Sequence, residues 1–525
     1  MKIIMQTRKI LLLFLITSLA ISCSNETEEP MQTSDGSEQT DMPNNGGNED
    51  ETEEDETEED ENTDDENDEG EDTSNDDDLD GDGIENNQDV DDDNDGLIEI
   101  FTIEDLDAIR NNLSASGEGL EGIPSSGTIG FELENDLNFE NPDDYEDPSL
   151  MDSFTTGLLG WRPIGISARF NAIFEGNEFT ISNLFSRGGT DGEAGLFNSI
   201  SSGAEIRNLN LEITMVSARN AAEVGGLVST CLGNINNCNV SGSVIGNNFS
   251  GLLVGGLVRG NILNCSSSGN IQVDSTLATG STVGGLIGLA SNDRLFGGVI
   301  TIDNCFSTAS VSGVTGVGGL IGGVGGDEDE QRIFVSNCYA TGDVEGIGSI
   351  GGLIGSLNHT DVESCYAIGN ITGGFRGGLG GLIGSMRNSD ISSCYASGTI
   401  LIGEAPAGGL IGLIDRNVSI QTSFSYGLIS NISGVNNFDK EGGLVGSIES
   451  NNTTIVFDNN YWDLESSSLT ISEGDAIGLT TAELQNPTGA TGIYETWDST
   501  VWDFGTNSQY PALINVPNGL EAQRN

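Results

Sequence analysis

The sequence predicts an all-β chain coiled into a right-handed parallel β-helix, or solenoid, with a short N-terminal capping helix and a C-terminal cap. A disordered acidic linker is expected ahead of the coil. Three observations lead there. A Gly-Gly-Leu unit recurs eight times, beginning at Gly225, Gly255, Gly284, Gly318, Gly351, Gly380, Gly408 and Gly442, with spacings of 30, 29, 34, 33, 29, 28 and 34 residues. Each unit alternates apolar and polar residues over short runs broken by Gly, Asn, Ser and Asp, with no 3.6-residue period. The longer spacings come from longer connections, LASNDRLFGGVIT, GGDEDEQR and GEAPAG, which is how a solenoid grows without disturbing its core. One unit alone buries too little, whereas stacked units bury a continuous line of Leu, Ile and Val. Three short strands are expected per turn, with turns rising by about 4.8 Å, the strand-pairing distance. A β-propeller needs blades of about 40 residues, so these units are too short for one.

Composition narrows the function. The chain has 525 residues, 84 acidic and 17 basic, and one histidine, for a formal net charge of -67. Residues 24–100 hold 36 of the acidic residues and no Lys or Arg. Nucleic-acid binding is excluded, because phosphate contacts need Lys and Arg. Chemistry built on several histidines is excluded as well. The 75 glycines follow no three-residue period, which rules out collagen.

Six segments follow in order. Residues 1–23 place Lys2, Arg8 and Lys9 before an apolar run from position 10 to 21. Twelve helical residues reach about 18 Å, short of a bilayer core of about 30 Å, so the run reads as a secretory signal. Its end, Ala20-Ile21-Ser22-Cys23, resembles a bacterial lipobox, which implies that Cys23 is lipidated and anchors the protein to the outer membrane at the cell surface. Ala20 stands where leucine is commoner. Residues 24–76 have almost nothing apolar to offset ordering entropy, and like charges extend them into a tether. The acidic residues of SNETEE resemble the surface-export signals of lipoproteins in the Bacteroidetes. In residues 77–99, Asp78, Asp80 and Asp82 alternate ahead of Gly83, and Asp89, Asp91, Asp93 and Asp95 ahead of Gly96. Alternating carboxylates around a turn glycine supply the oxygens that Ca²⁺ prefers. The pattern resembles thrombospondin type 3 repeats, which implies these seven aspartates as calcium ligands; the cysteines frequent in such repeats are absent.

Residues 100–215 are expected to hold the capping helix, over 103–112, and the first rungs. Residues 216–465 carry the eight units. Here VGGLVRGNILNCSSSG, IGGLIGSLNHTDVESCYAIG and LGGLIGSMRNSDISSCYASG resemble the GLUG-motif repeats of bacterial surface proteins. These occur in adhesin-like proteins and in non-catalytic regions of some IgA-cleaving metallopeptidases. The resemblance implies surface display and brings no catalytic residue with it. Residues 466–525 read as the C-terminal cap. In it Thr480 and Glu483 are spaced as a capping box, and Trp497, Trp502, Tyr510 and Pro511 supply packing.

Cys238, Cys265, Cys305, Cys338, Cys365 and Cys394 hold one place in successive repeats, followed by Thr422 and Asn460; Cys231 lies outside the series. Stacked in register, their Cβ atoms sit about 4.8 Å apart, beyond the usual bridging range, so a free buried thiol ladder filling a narrow core is expected. The next position is aromatic in six repeats, as Phe306, Tyr339, Tyr366, Tyr395, Phe424 and Tyr461, and alternation places it on the opposite, outer side of the strand. Tyr339, Tyr366 and Tyr395 are therefore candidates for a ligand face able to stack on sugar rings, with packing under loops the alternative. His359, in SLNHTD, reads as a solvated turn residue, and the GGDEDEQR insert as a solvated loop. No HExxH, GxSxG or P-loop pattern appears. The expected role is adhesion or binding of a glycan or protein ligand by a lipid-anchored, calcium-stiffened solenoid, with no catalysis. A polysaccharide-degrading β-helix enzyme and a purely structural envelope protein are the alternatives.

Overall fold

The structure, a computed structural model, describes residues 89–524 apart from 117–128, 156–159, 189–193, 219–222, 274–279, 293–297, 327–331, 432–439, 450–453 and 489–491, together with Leu79 and Ile84. The signal with Cys23, the tether, Asp78, Asp80, Asp82 and most of the GGDEDEQR insert lie outside the described residues.

Strands of at most eight residues coil around and pair with the matching strand one turn away, which makes a parallel β-solenoid. The longest sheet stacks twelve strands, from Leu97–Ile100 to Ile455–Asp458; two others stack nine and eight. On the fourth face early turns carry one long strand, such as Asn239–Gly246, and later turns two short ones, such as Tyr366–Ala367 and Ile371–Gly373. A turn therefore holds four or five strands, where three were expected. The added corners are made by left-handed residues, which asparagine tolerates best. Asn208, Asn237, Asn264, Asn304 and Asn337 take φ of 54°, 52°, 54°, 56° and 52° at one corner. Their amides bridge turns, as from Asn304 Nδ2 to Asn264 Oδ1 at 2.7 Å. His359 makes a second such corner (φ 51°), in the column of Asn388 and Asn417, and is half-buried rather than solvated.

Inward residues stack like on like. Ile262, Ile302, Val335, Val362, Ile391 and Ile420 form one buried column on the long sheet. Each such side chain stabilises the fold by about 1.5–3 kcal/mol. Thr102 caps the helix Ile103–Ala108 in a reciprocal box with Asp105, and Ile103 and Leu106 plug the N-terminal mouth of the core. At the other mouth, the Gly443 N–H bonds to Ile471 O and Glu473 N–H to Val445 O, so the chain after Asp463 crosses the end of the coil.

Two alignments drawn from sequence are corrected by register. Phe249–Gly251 pairs with Glu223–Gly225, so the corner of the second unit is Gly251-Leu252-Leu253. Gly255 and Gly256 lie four residues further on, inside the strand Val254–Leu257. The run GLLVGGLV offers the pattern twice, and only pairing selects the frame. The cysteine slot in the seventh repeat is likewise Ser423, not Thr422; Thr422 is the left-handed residue before it (φ 46°).

That slot does more than fill space. All seven described cysteines are buried and unpaired, and burial pushes the Cys338 and Cys365 thiols up. Cys338 Sγ donates to Ser336 O at 2.9 Å and accepts from Cys305 N–H at 3.4 Å. Ser423 Oγ donates to Gln421 O at 2.7 Å and accepts from Cys394 N–H at 3.1 Å; Asn460 plays the same part for Ser423. The slot thus requires a small group that satisfies buried backbone. Cys338→Ser is expected to cost under about 1 kcal/mol, whereas Cys338→Val strands the Cys305 N–H and costs about 1–3 kcal/mol. Denaturant midpoints of the two variants check this order.

Candidate metal centre

The segment DVDDDNDGLIE curls before it enters the first strand. Asp91 N–H bonds to Asp89 Oδ1 at 3.1 Å, Asp95 N–H to Asp93 Oδ1 at 3.0 Å, and Leu97 N–H to Asp95 Oδ1 at 2.7 Å. Asn94 and Gly96 turn the chain with φ of 60° and 96°. Only residues tolerant of the left-handed region serve there. The curl leads into Leu97–Ile100, where Ile100 points into the core and Glu99 to the outer side, against the curl.

Two groups of carboxylates converge. Oxygens of Asp91, Asp93 and Glu99 lie within 4.8 Å of one another, as do those of Asp93, Asp95 and Glu132. Of the seven predicted aspartates, Asp91, Asp93 and Asp95 belong to these groups. Asp89 is outside both and bonds the Asp91 amide instead. Glu99 and Glu132 were missed by the sequence reading. Glu99 had a local signal, four residues after Asp95 at an outward strand position. Glu132 had none, because it arrives from the next turn.

The electrostatics are unfavourable for bare charge. The Asp91 side chain has no exposed surface, though the protein layer over it is thin, and neither carboxylate oxygen makes a well-formed hydrogen bond, the Asp95 and Gly96 backbone N–H groups being its nearest donors. Desolvation pushes its pKa up to about 6, with the Asp95 and Asp93 charges adding to the rise and backbone at Gly96 and Asp95 opposing it. Glu99 Oε1 accepts from Asp92 N–H at 2.7 Å, but Oε2 has no partner, and desolvation raises its pKa to about 8. Glu132 accepts from Asn177 Nδ2 at 2.7 Å, yet desolvation raises it to about 7. Buried carboxylates of this kind need a proton or a cation. The donors are all hard oxygens, which suit Ca²⁺ better than softer ions and leave remaining positions for water. A cleft of about 1030 Å³ lined by Asp89, Asp92, Glu99, Phe101 and Asp105 adjoins the group.

The aromatic stripe follows the packing reading rather than the ligand-face reading. Tyr339, Tyr366 and Tyr395 do stack on the outer side, with ring centroids 5.0 and 4.9 Å apart. They are buried, because the C-terminal segment folds back along the flank of the coil and covers them with Tyr494, Trp497, Trp502, Leu513 and Val516. Asn518 Nδ2 donates to Tyr366 Oη at 2.6 Å, and Tyr395 Oη donates to Gln523 Oε1 at 3.1 Å. The C-terminal cap therefore seals a side as well as an end, and this stripe offers no open ligand face.

The fold defines the class: a parallel β-solenoid with an acidic cluster at its N-terminal end. No protein-family model matches the chain. It is 30% identical over 164 residues to halomucin of Haloquadratum walsbyi, a match that takes in 31% of this chain and 2% of that protein. The chain thus spans only a small fraction of that relative. Among solved structures, a Bacteroides ovatus protein described as a candidate immunoglobulin A1 protease covers 80% of this chain and 92% of its own, at 17% identity and a TM-score of 0.39. An IgA1 protease structure covers 57% of this chain and 21% of its own, at 19% identity and a TM-score of 0.35. Neither likeness bears on activity.

Proposed function

We propose that this chain is a GLUG-type surface lipoprotein whose solenoid binds an extracellular glycan or protein, with Ca²⁺ held by the acidic segment before the first strand. The residues of the lipobox, with Cys23 as the lipidated position, support the anchoring part of the reading. The orphaned oxygens of Asp91 and Glu99 support the calcium part.

One observation carries the binding part. A groove of about 630 Å³ crosses successive turns and is lined by Gln272, Ser312, Glu345 and Thr372, beside Ile347 and Phe375. Phe375 is 59% exposed, unlike the buried rings of the tyrosine stack. Hydrogen-bonding side chains repeated along a coil, three of them neutral and one the Glu345 carboxylate, with one open ring, suit a polymer of polar, flat-faced units, so a glycan is favoured over a protein. Repeated weak contacts along one rigid face then add by avidity. Catalysis is not part of the proposal.

The test is co-sedimentation of the full chain, in mild detergent, with a panel of insoluble polysaccharides and matrix proteins, with Ca²⁺ and with chelator. Binding to one polysaccharide that falls at least tenfold in Phe375→Ala is the expected result. Soluble product released from the polysaccharide would favour the enzyme alternative. Absence of binding to the whole panel would move the chain to the structural alternative.

A further inference from the structure

The first turns of the coil carry a column of buried like charge. Glu99, Glu132 and Glu175 are register partners on successive turns, and they are 8%, 7% and 6% exposed. Carboxylates stacked at the strand spacing of about 4.8 Å repel unless each is compensated. Compensation is full at one end and incomplete at the other. Glu175 pairs with Arg207 and accepts from Asn208 Nδ2 at 2.8 Å and from Asn177 N–H at 2.9 Å. Glu132 keeps Asn177 alone as a side-chain partner. Glu99 keeps one backbone N–H and leaves Oε2 unpartnered. Asp91, just beyond it, has no exposed surface, has neither oxygen in a well-formed hydrogen bond, and lies close to Glu99.

Among the described residues, the strand that carries Glu99 is also the edge of the twelve-stranded sheet, paired with another strand on one side only. Edge strands need a device that holds them. Leu97–Ile100 has the helix Ile103–Ala108 after it and the aspartate curl before it. The curl is tied to the strand by the Asp92–Glu99 bond and by Glu99 N–H to Val90 O at 3.3 Å.

We infer that one Ca²⁺ seated between Asp91, Asp93 and Glu99 is the end-seal of the solenoid: it closes the glutamate column as Arg207 does at the other end, and so clamps the first two strands to the coil. The inference rests on the calcium part of the reading above and on no ligand. The cation joins a residue pair from the curl to one from the first turn, so it couples metal occupancy to order in the coil rather than merely stiffening a spacer. At millimolar extracellular Ca²⁺ the seal is closed; withdrawal of the ion opens one end and leaves the middle intact, since solenoid turns contact only their neighbours.

Amide hydrogen exchange on the full chain, in Ca²⁺ and in chelator, tests this. Peptides from 97–100 and 130–133 are expected to exchange at least tenfold more slowly with Ca²⁺, while those from 316–421 are unchanged. Glu99→Gln is expected to abolish that difference and remove one Ca²⁺ from the stoichiometry measured by titration calorimetry, and Glu363→Gln, an exposed change on the same sheet, to do neither. If Glu99→Gln fails to fold, the comparison of wild type in the two solutions still decides. Ca²⁺ uptake with no change over 97–133, or a change confined to residues before 89, overturns the end-seal and leaves calcium binding standing. No uptake at all removes the calcium part and this inference together, and the ligand panel is judged separately.

Discussion

Gly352→Ala is expected to lower stability by about 3 kcal/mol, a severe effect for one added methyl group. The backbone at Gly352 is not left-handed, so conformational strain is not the cause. The cause is crowding: a Cβ there would overlap the Gly381 carbonyl oxygen of the next turn and press on the Ala367 Cβ at 2.8 Å. Neither neighbour can retreat, because hydrogen bonds hold the turns together, with Leu353 N–H to Leu382 O at 2.9 Å. The same collision recurs at Gly319 and Gly381, which explains why the repeat keeps a glycine there. Gly325→Ala is the control, since nothing lies within 4 Å of its Cβ position; under about 0.5 kcal/mol is expected. Denaturant midpoints measure both. Equal midpoints would show that the turns can separate to admit the methyl group.

Tyr395→Ala is expected to cost about 3–5 kcal/mol and to release the C-terminal cover. The ring is fully buried between Tyr366 and Phe424, at centroid distances of 4.9 and 5.3 Å, and touches Trp502 from the cover. Limited proteolysis after about residue 485 should follow in the variant and not in wild type. Tyr395→Phe keeps the stack and loses only the bond to Gln523, which still accepts from Leu513 N–H at 2.8 Å; about 1 kcal/mol or less is expected. A cover that stays protease-resistant in Tyr395→Ala would show that the stack does not anchor it. The same burial sets an alkaline limit. All eight tyrosines are raised by desolvation, Tyr339 to about 12. The unfolded chain loses these protons near pH 10 while the folded chain retains them. Stability is therefore full below pH 10 and falls as pH rises toward the folded values.

Much of the candidate site was legible because its chemistry is local. Alternating aspartates before a glycine mark an oxygen-rich curl, and Asp91, Asp93 and Asp95 are in it. Glu99 was within reach of the same argument. Glu132 was not, because 33 residues separate it from Glu99 and only the pairing of Leu97–Ile100 with Gly130–Leu133 brings them together. The tyrosine stripe shows the opposite failure. Alternation correctly put the rings outside the coil, but a strand pattern carries no information about a distant segment that returns to cover them.

The sequence by itself determined the architecture: a glycine-marked repeat with period-two alternation can bury its apolar residues only by stacking turns. It also determined the capping box at Thr480, whose partner Glu483 lies three residues away. Tertiary structure decided what depends on neighbours in space. It chose Gly251 over Gly255 as a corner, Ser423 over Thr422 as the heir of the cysteine slot, and the C-terminal segment as the roof of the tyrosine stack. The reason is physical: local patterns specify which face a side chain takes, while backbone pairing between turns specifies what it meets there.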